Sequence, residues 1–262
     1  MARTAAEIEP AAASLAQELL ARTNSEQIHA IDALLRARVE ALGQAPSREE
    51  VVRELRWLLH IQACCRRVFN ELAVLAYDGR HPKHWLWRSH KRYILDRVEP
   101  GQRALDVGSG ASAYLLWLAE KGCLVTGCDI RPDRVELARS LMRHPNLRFE
   151  LRDAVADPPR GQYDWLICSH VIEHIDDPVA FLAGLRPCAP RLIVCVPPLD
   201  NAWEKVMLRD LGLPWMDDAD HRREYTPELL EEQLTAAGWR VEDLRAGVDI
   251  KATAVRAEAE QR

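Results

Sequence analysis

Apolar residues in the first third of the chain recur at helical spacing. Between 25 and 42, Ile28, Ile31, Leu34, Leu35, Val39 and Leu42 mark one helix face, and a shorter amphipathic segment covers 14–20. The stretch 43–46 breaks the pattern. Ser47 then stands three residues before Glu50, the spacing of a capping box, and opens a second long helix. Val51, Leu55, Leu58, Leu59, Cys65, Phe69 and Leu72 run down its broad apolar face, and its end is predicted near Asp78 and Gly79. Three helices without strands predict a bundle or a lid.

From Arg103 onward the period changes. Short apolar runs at 103–107, 123–129, 147–151, 163–169 and 191–196 read as strands, and helical runs lie at 112–121 and 132–143. Pro132 suits a first helical turn. A last helix is predicted over 226–237, with Thr226 as its cap and Gly238 as its stop. Two further strands, 239–244 and 250–255, are joined by a turn at Gly247. Alternating strands and helices predict an α/β fold with a parallel sheet and helices on both faces. The expected division is an N-terminal helical region, 1–79, serving as a lid or dimerisation element, and an α/β domain over 80–262.

Composition narrows the function. The 262 residues carry 35 Lys plus Arg against 40 Asp plus Glu, a net charge of −5, which argues against general affinity for nucleic acid or anionic membrane. The seven cysteines form no C-x-x-C pair. Cys123, Cys128, Cys168 and Cys195 sit in apolar runs and read as reduced core residues of a cytoplasmic protein. The opening residues have no apolar leader, and no run approaches the length of a membrane span.

The strongest local signal is ALDVGSGAS, 104–112, directly after a strand and before a helix. Glycines there let backbone approach a ligand. Asp129 ends the next strand roughly twenty residues on, where an acid can accept ribose hydroxyls. The third glycine of a dinucleotide fingerprint is missing, since Ser112 or Ala113 stands there, so a nicotinamide reading is the weaker one.

The run LDVGSG resembles the first motif of the class I S-adenosylmethionine-dependent methyltransferases, over about residues 80 to 255. The resemblance implies a Rossmann-like, seven-stranded, mostly parallel sheet with its last strand antiparallel, and S-adenosylmethionine as cofactor. It implies that Gly108, Ser109 and Gly110 line the methionine part and that Asp106 fixes the loop. It further implies that Asp129 binds the ribose, that Asp153 hydrogen-bonds the adenine amino group with Ala154 supplying a backbone contact, and that Ile130 and Ser169 also bind the cofactor.

A second constellation is His170, Glu173 and His174. H-x-x-E-H on one helical turn resembles an inverted zinc protease motif, which the position after a sheet strand contradicts. The small-RNA 3′-end 2′-O-methyltransferases, and some quinone-precursor O-methyltransferases, carry a similar E-H pair and bind a divalent metal. DHRREYT, 220–226, is similar to a later run of the RNA enzymes and brings His221 to the same set. Three readings stand side by side: a divalent metal on Glu173, His174, His221 and His170; catalysis by His170, His174 or His221, with His170 the first candidate for general base; and loop structure alone. Three histidines with one glutamate suit zinc, manganese or iron better than magnesium.

The basic, aromatic segment 80–97 reads as a lid touching a carboxylate or as an amphipathic connector. In the insert 196–226, Trp203, Met207, Leu211, Leu213, Trp215 and Met216 line an acceptor pocket or belong to the core. HPKHWLW, LRDLGLPW and HRREYTPELL are similar to segments of bacterial stand-alone methyltransferases of sugar, glycan and natural-product pathways. The leading expectation is O-methylation of a small-molecule or glycan hydroxyl. The alternatives are a metal-assisted RNA ribose 2′-O-methyltransferase and a non-catalytic, cofactor-binding scaffold. The face from Val51 to Leu72 is expected to recruit a partner or to meet a second copy.

Overall fold

The computed structural model describes residues 24–77, 88–159, 161–199, 203–216, 218 and 220–257. The expected segment at 14–20 and the basic stretch carrying His81, His84, Trp85 and Trp87 lie outside the described residues. The chain divides into two compact units, Met1–Phe69 and Asn70–Arg262.

In the first unit, α1 (Asn24–Ala41) is followed by α2 (Arg48–Ala76), which continues past Phe69. The capping box forms as the spacing predicts. The Ser47 N–H and hydroxyl each donate to Glu50 Oε2 at 2.8 Å, and the Glu50 N–H returns to Ser47 Oγ at 3.3 Å. Arg38 of α1 pairs with Glu54 at 2.6 Å and lies over the Trp57 ring. No residue of α2 is buried, and Leu58, Ile61, Val68, Phe69 and Leu72 are exposed.

The second unit contains β1 (Arg103–Val107), β2 (Leu124–Asp129), β3 (Leu147–Leu151), β4 (Trp165–Ser169), β5 (Arg191–Val196), β6 (Trp239–Arg245) and β7 (Ile250–Arg256). They form one seven-stranded sheet in the order β3-β2-β1-β4-β5-β7-β6. The first five pair in parallel; β7 runs antiparallel to both β5 and β6. The α/β, Rossmann-like expectation with an antiparallel last strand therefore holds. The order reverses between β1 and β4, and in such sheets ligands sit beyond the carboxyl ends of the strands at that point.

Strand alternation supplies a core on each face. Trp165 and Ile167 of β4 pack with α3 (Arg88–Leu95), α4 (Tyr114–Glu120) and α5 (Pro132–Leu141). Leu166 and Cys168 pack with α6 (Pro178–Leu185) and α8 (Pro227–Ala236). The expected caps and stops are in place: Thr226 accepts from the Leu229 N–H at 3.2 Å, and Gly238 has positive φ. The periodicity does not reveal α6, because PVAFLAGL is apolar on nearly all sides and wedged into the core. It does not reveal α7 (Trp203–Asp210) within the insert either. All seven cysteines are free, and five are buried.

One polar cluster fixes α3 on the sheet. The Tyr93 hydroxyl lies 2.8 Å from Thr253 Oγ1 and 3.1 Å from Asp243, while Arg97 pairs with Asp243 and donates to Thr253 at 2.8 Å. This bond set holds the helix that carries Lys91 to the strand ends.

Candidate functional site

The first wall of the site grows from the turn after β1. Gly108 and Gly110 both have positive φ, a conformation that favours glycine. A Cβ on Gly108 would stand 2.6 Å from Val171 Cγ2, so this turn packs directly against the segment that follows β4. The Ser109 N–H donates to the Cys128 carbonyl and the Gly110 N–H to Asp129 Oδ2, both at 2.9 Å. Asp129 also accepts from the Arg131 N–H at 2.9 Å. Asp129 thus holds the loop, the task that the family resemblance gives to Asp106.

Asp106 is 1% exposed, and neither carboxylate oxygen forms a hydrogen bond among the described residues. Burial pushes its carboxyl up to about 7, against the pull of the Tyr114 hydroxyl and the Lys91 charge. The Tyr114 hydroxyl is itself buried without a hydrogen bond of normal geometry. Lys91 Nζ donates to Ser169 Oγ at 2.9 Å. Lys91, the glycine turn, Tyr114, Arg134, Ser169, His170 and Asp249 line a single cavity of about 470 Å³.

Beside this cavity the strand ends of β2 and β3 present a more apolar surface. Ile130 and Val155 are exposed, and Ala154 is buried. Asp153 uses Oδ1 to accept from the N–H groups of Val155 and Ala156, which leaves its second oxygen for a ligand.

The second wall follows β4. His170 has φ +58, the one positive φ on a non-glycine among the described residues. That turn sends its ring toward two acids: Nε2 lies 3.3 Å from Asp249 Oδ2 and Nδ1 3.4 Å from Glu173 Oε1. Burial pulls the imidazole down, but Asp249 and Glu173 outweigh it and raise it to about 9. In this state His170 carries a proton at neutral pH.

Glu173, His174 and His221 offer ligand atoms that lie within 4.8 Å of one another. His170 is not part of this group. The expected helical turn over 170–174 is a single 3₁₀ turn, Ile172–His174, and the left-handed backbone at His170 sets it off from His174. Glu173 is 0% exposed, and neither of its oxygens forms a hydrogen bond among the described residues. His221 arrives because the segment 220–226 is strapped to this turn. The Arg222 N–H donates to the Glu173 carbonyl at 2.7 Å, and Arg223 donates to the carbonyls of Ile172, Ile175 and Asp176.

Sequence reasoning located the glycine turn, Asp129, Ser169 and the His174–His221 pairing. It missed Tyr114 and Asp249, which carry no motif and enter only through the fold. Of the six apolar insert residues, Leu213 alone is buried, while Trp203 is 71% exposed. Met216 is exposed as well, and Met207, Leu211 and Trp215 are half-buried.

Residues 79–244 match a family described as a methyltransferase domain. The ubiquinone biosynthesis O-methyltransferase of Xanthomonas campestris pv. campestris (strain B100) is 34% identical over 122 residues, covering 44% of this chain and 49% of that protein. The protein of the same name from Vibrio campbellii (strain ATCC BAA-1116) is 30% identical over 131 residues, covering 46% and 54%. The chain spans about half the length of the curated relatives it matches. Among solved structures, magnesium protoporphyrin IX methyltransferase from Synechocystis PCC 6803 is similar at TM-score 0.53 and 22% identity, covering 66% of this chain and 83% of that one. A SAM-dependent methyltransferase from Aquifex aeolicus gives TM-score 0.54 and 18% identity, covering 68% and 94%. These two structures share the fold.

The state of Asp106 has a measurable consequence. Its folded carboxyl titrates above the unfolded one, so its stabilising contribution is present in acid and lost as pH rises toward 7. Asp106→Asn removes the buried charge. In ligand-free protein it is expected to raise the thermal midpoint in mildly alkaline buffer and to flatten the decline between acid and neutral pH. An alkaline midpoint below that of the native protein would contradict this.

Proposed function

The chain belongs to the methyltransferase-domain family, and from that premise we propose that it transfers the methyl group of S-adenosylmethionine to a hydroxyl of a small molecule, a sugar or a glycan. The observation that carries this reading is the cavity that joins the glycine turn to His170. On its wall stands the Lys91 ammonium group, whose charge reaches the Asp106 carboxyl buried near the end of β1. Lys91 is complementary to the carboxylate of an amino-acid ligand such as the methionine end of the cofactor.

The remaining residues fit the same molecule. Asp129 keeps lone pairs for the ribose hydroxyls beyond its two backbone bonds. Asp153 offers its second oxygen to the adenine amino group, and Ile130 offers an exposed apolar side chain to the ring. When bound, S-adenosylmethionine supplies an electrophilic methyl group. The chain's part is to orient an acceptor oxygen in line with it and to keep water away.

The second wall prepares the acceptor. His170, charged between Asp249 and Glu173, has both ring nitrogens turned to these acids, and becomes a base toward an acceptor only after leaving one of them and losing its proton. Glu173, His174 and His221 fit a divalent cation. The donor set is one carboxylate and two imidazoles, and a cation there would share Glu173 with the charged His170 ring 3.4 Å away. Such an ion supplies acidification of a bound hydroxyl. The names of the curated relatives support hydroxyl methylation, and the net charge of −5 favours a small acceptor over RNA. The free, mostly buried cysteines support a reducing, cytoplasmic setting, and no described helix is long and apolar enough to cross a membrane.

The helical region 1–79 is proposed to cover a second copy of the chain, because α2 exposes its apolar face. Light scattering is expected to give the mass of two chains, and that of one after Phe69→Glu with Leu72→Glu. A monomeric native protein overturns the idea.

Calorimetric titration is expected to show S-adenosylmethionine binding that Asp129→Ala weakens by at least tenfold, about 1.4 kcal/mol. No binding by the native protein would sink the methyltransferase reading for this chain. Metal analysis of purified protein is expected to find about one divalent ion per chain, lost in His221→Ala. A metal-free native protein whose transfer activity survives a chelator would remove the cation from the account.

A further inference from the structure

A sealed ion pair stands behind His221. Lys205 of α7 is buried, with Nζ 2.7 Å from Glu224 Oε2 and 3.1 Å from the Pro198 carbonyl oxygen. The Glu224 side chain is 0% exposed. Its other oxygen, Oε1, lies 3.4 Å from His221 Nδ1. Apolar residues of similar volume often serve stability as well as a buried pair or better, so stability alone is a poor reason for this one.

The neighbouring histidine has the same arrangement. His174 Nδ1 lies 3.4 Å from the Asp220 carbonyl oxygen. The two rings meet edge to face, with centroids 4.7 Å apart. Each imidazole thus has an oxygen near Nδ1, a hydrogen bond for His174 and, for the buried His221, a 3.4 Å approach short of normal hydrogen-bond geometry, which leaves Nε2 as the nitrogen for a ligand.

Resting on the cation reading of Glu173, His174 and His221, we infer that Glu224, steadied by Lys205, is the outer carboxylate that fixes His221 as its Nδ1–H tautomer and presents Nε2 to a divalent cation. A carboxylate or carbonyl behind a histidine ligand sets the ring's orientation. The Asp220 carbonyl stands in that place for His174 and the Glu224 carboxylate for His221. Glu224 is a positioning residue, since it acts only through the imidazole. Lys205 extends the set into the insert: α7 sends its ammonium group to Glu224 and to the chain just after β5. The insert therefore bears on the ligand set as well as on the acceptor.

The test titrates the whole chain with Zn²⁺ against a chromophoric chelator, and with Co²⁺ by visible absorption. Glu224→Gln is expected to weaken Zn²⁺ binding about 10- to 100-fold and to alter the Co²⁺ spectrum. Unchanged S-adenosylmethionine affinity in the same variant shows an intact fold, a readout that a merely structural role for Glu224 would move. Should Glu224→Gln leave Lys205 too costly to bury, the double variant Lys205→Met with Glu224→Gln removes both charges and is expected to show the same weakening. Zn²⁺ affinity equal to that of the native chain in these variants overturns the role of Glu224 alone. A native chain that binds neither ion overturns the cation reading and this inference together.

Discussion

Two buried carboxylates without hydrogen bonds, Asp106 and Glu173, set the terms for everything around them. An isolated buried charge is among the costliest features a fold can contain, and it persists only if it takes up a proton or a partner. Asp106 takes the first course in the ligand-free chain, with its carboxyl raised to about 7. Glu173 has His170 as an ion-pair neighbour and two further imidazoles close by. Both acids stand where β1 and β4 end, beside the reversal in strand order. The strands are largely apolar, and Asp106 within β1 and Glu173 in the turn after β4 depart from that logic. Such breaks in a consistent fold are expected at functional sites.

The surrounding structure can be understood as the means of holding those acids in place. The cluster of Tyr93, Arg97, Asp243 and Thr253 fastens α3 to the terminal hairpin, and α3 delivers Lys91 toward Asp106. The same hairpin delivers Asp249 to His170. On the other side, Arg222 and Arg223 tie the segment 220–226 to the 3₁₀ turn and so bring His221 to Glu173. Rigid anchoring of this kind is what orientation of a cofactor and an acceptor requires.

The sheet was legible in the sequence because its strands alternate with helices and end on recognisable turns. The capping box at Ser47 and the cap at Thr226 were legible for the same local reason. The glycine turn and its acid Asp129 were legible too, and the structure joins them through the Gly110 N–H. The geometry at His170 was not legible. Helical spacing puts it on one face with His174, but its left-handed backbone turns it to Asp249, a residue 79 positions away that no motif marks. Tyr114 and Lys205 were hidden likewise, since each gains its meaning from a partner distant in sequence. Helix α6 escaped because its exposed positions are Ala180, Ala183 and Gly184, so no polar face marks its period.

The central claim is that this cavity passes a methyl group from a sulfonium to an oxygen. The most direct measurement uses S-adenosylmethionine carrying a ¹³C-labelled methyl group, incubated with the protein and a metabolite extract and followed by NMR. The account predicts label in a methoxy carbon of a small acceptor. Label on nitrogen or carbon instead, or no transfer by a protein that binds the cofactor, would contradict it.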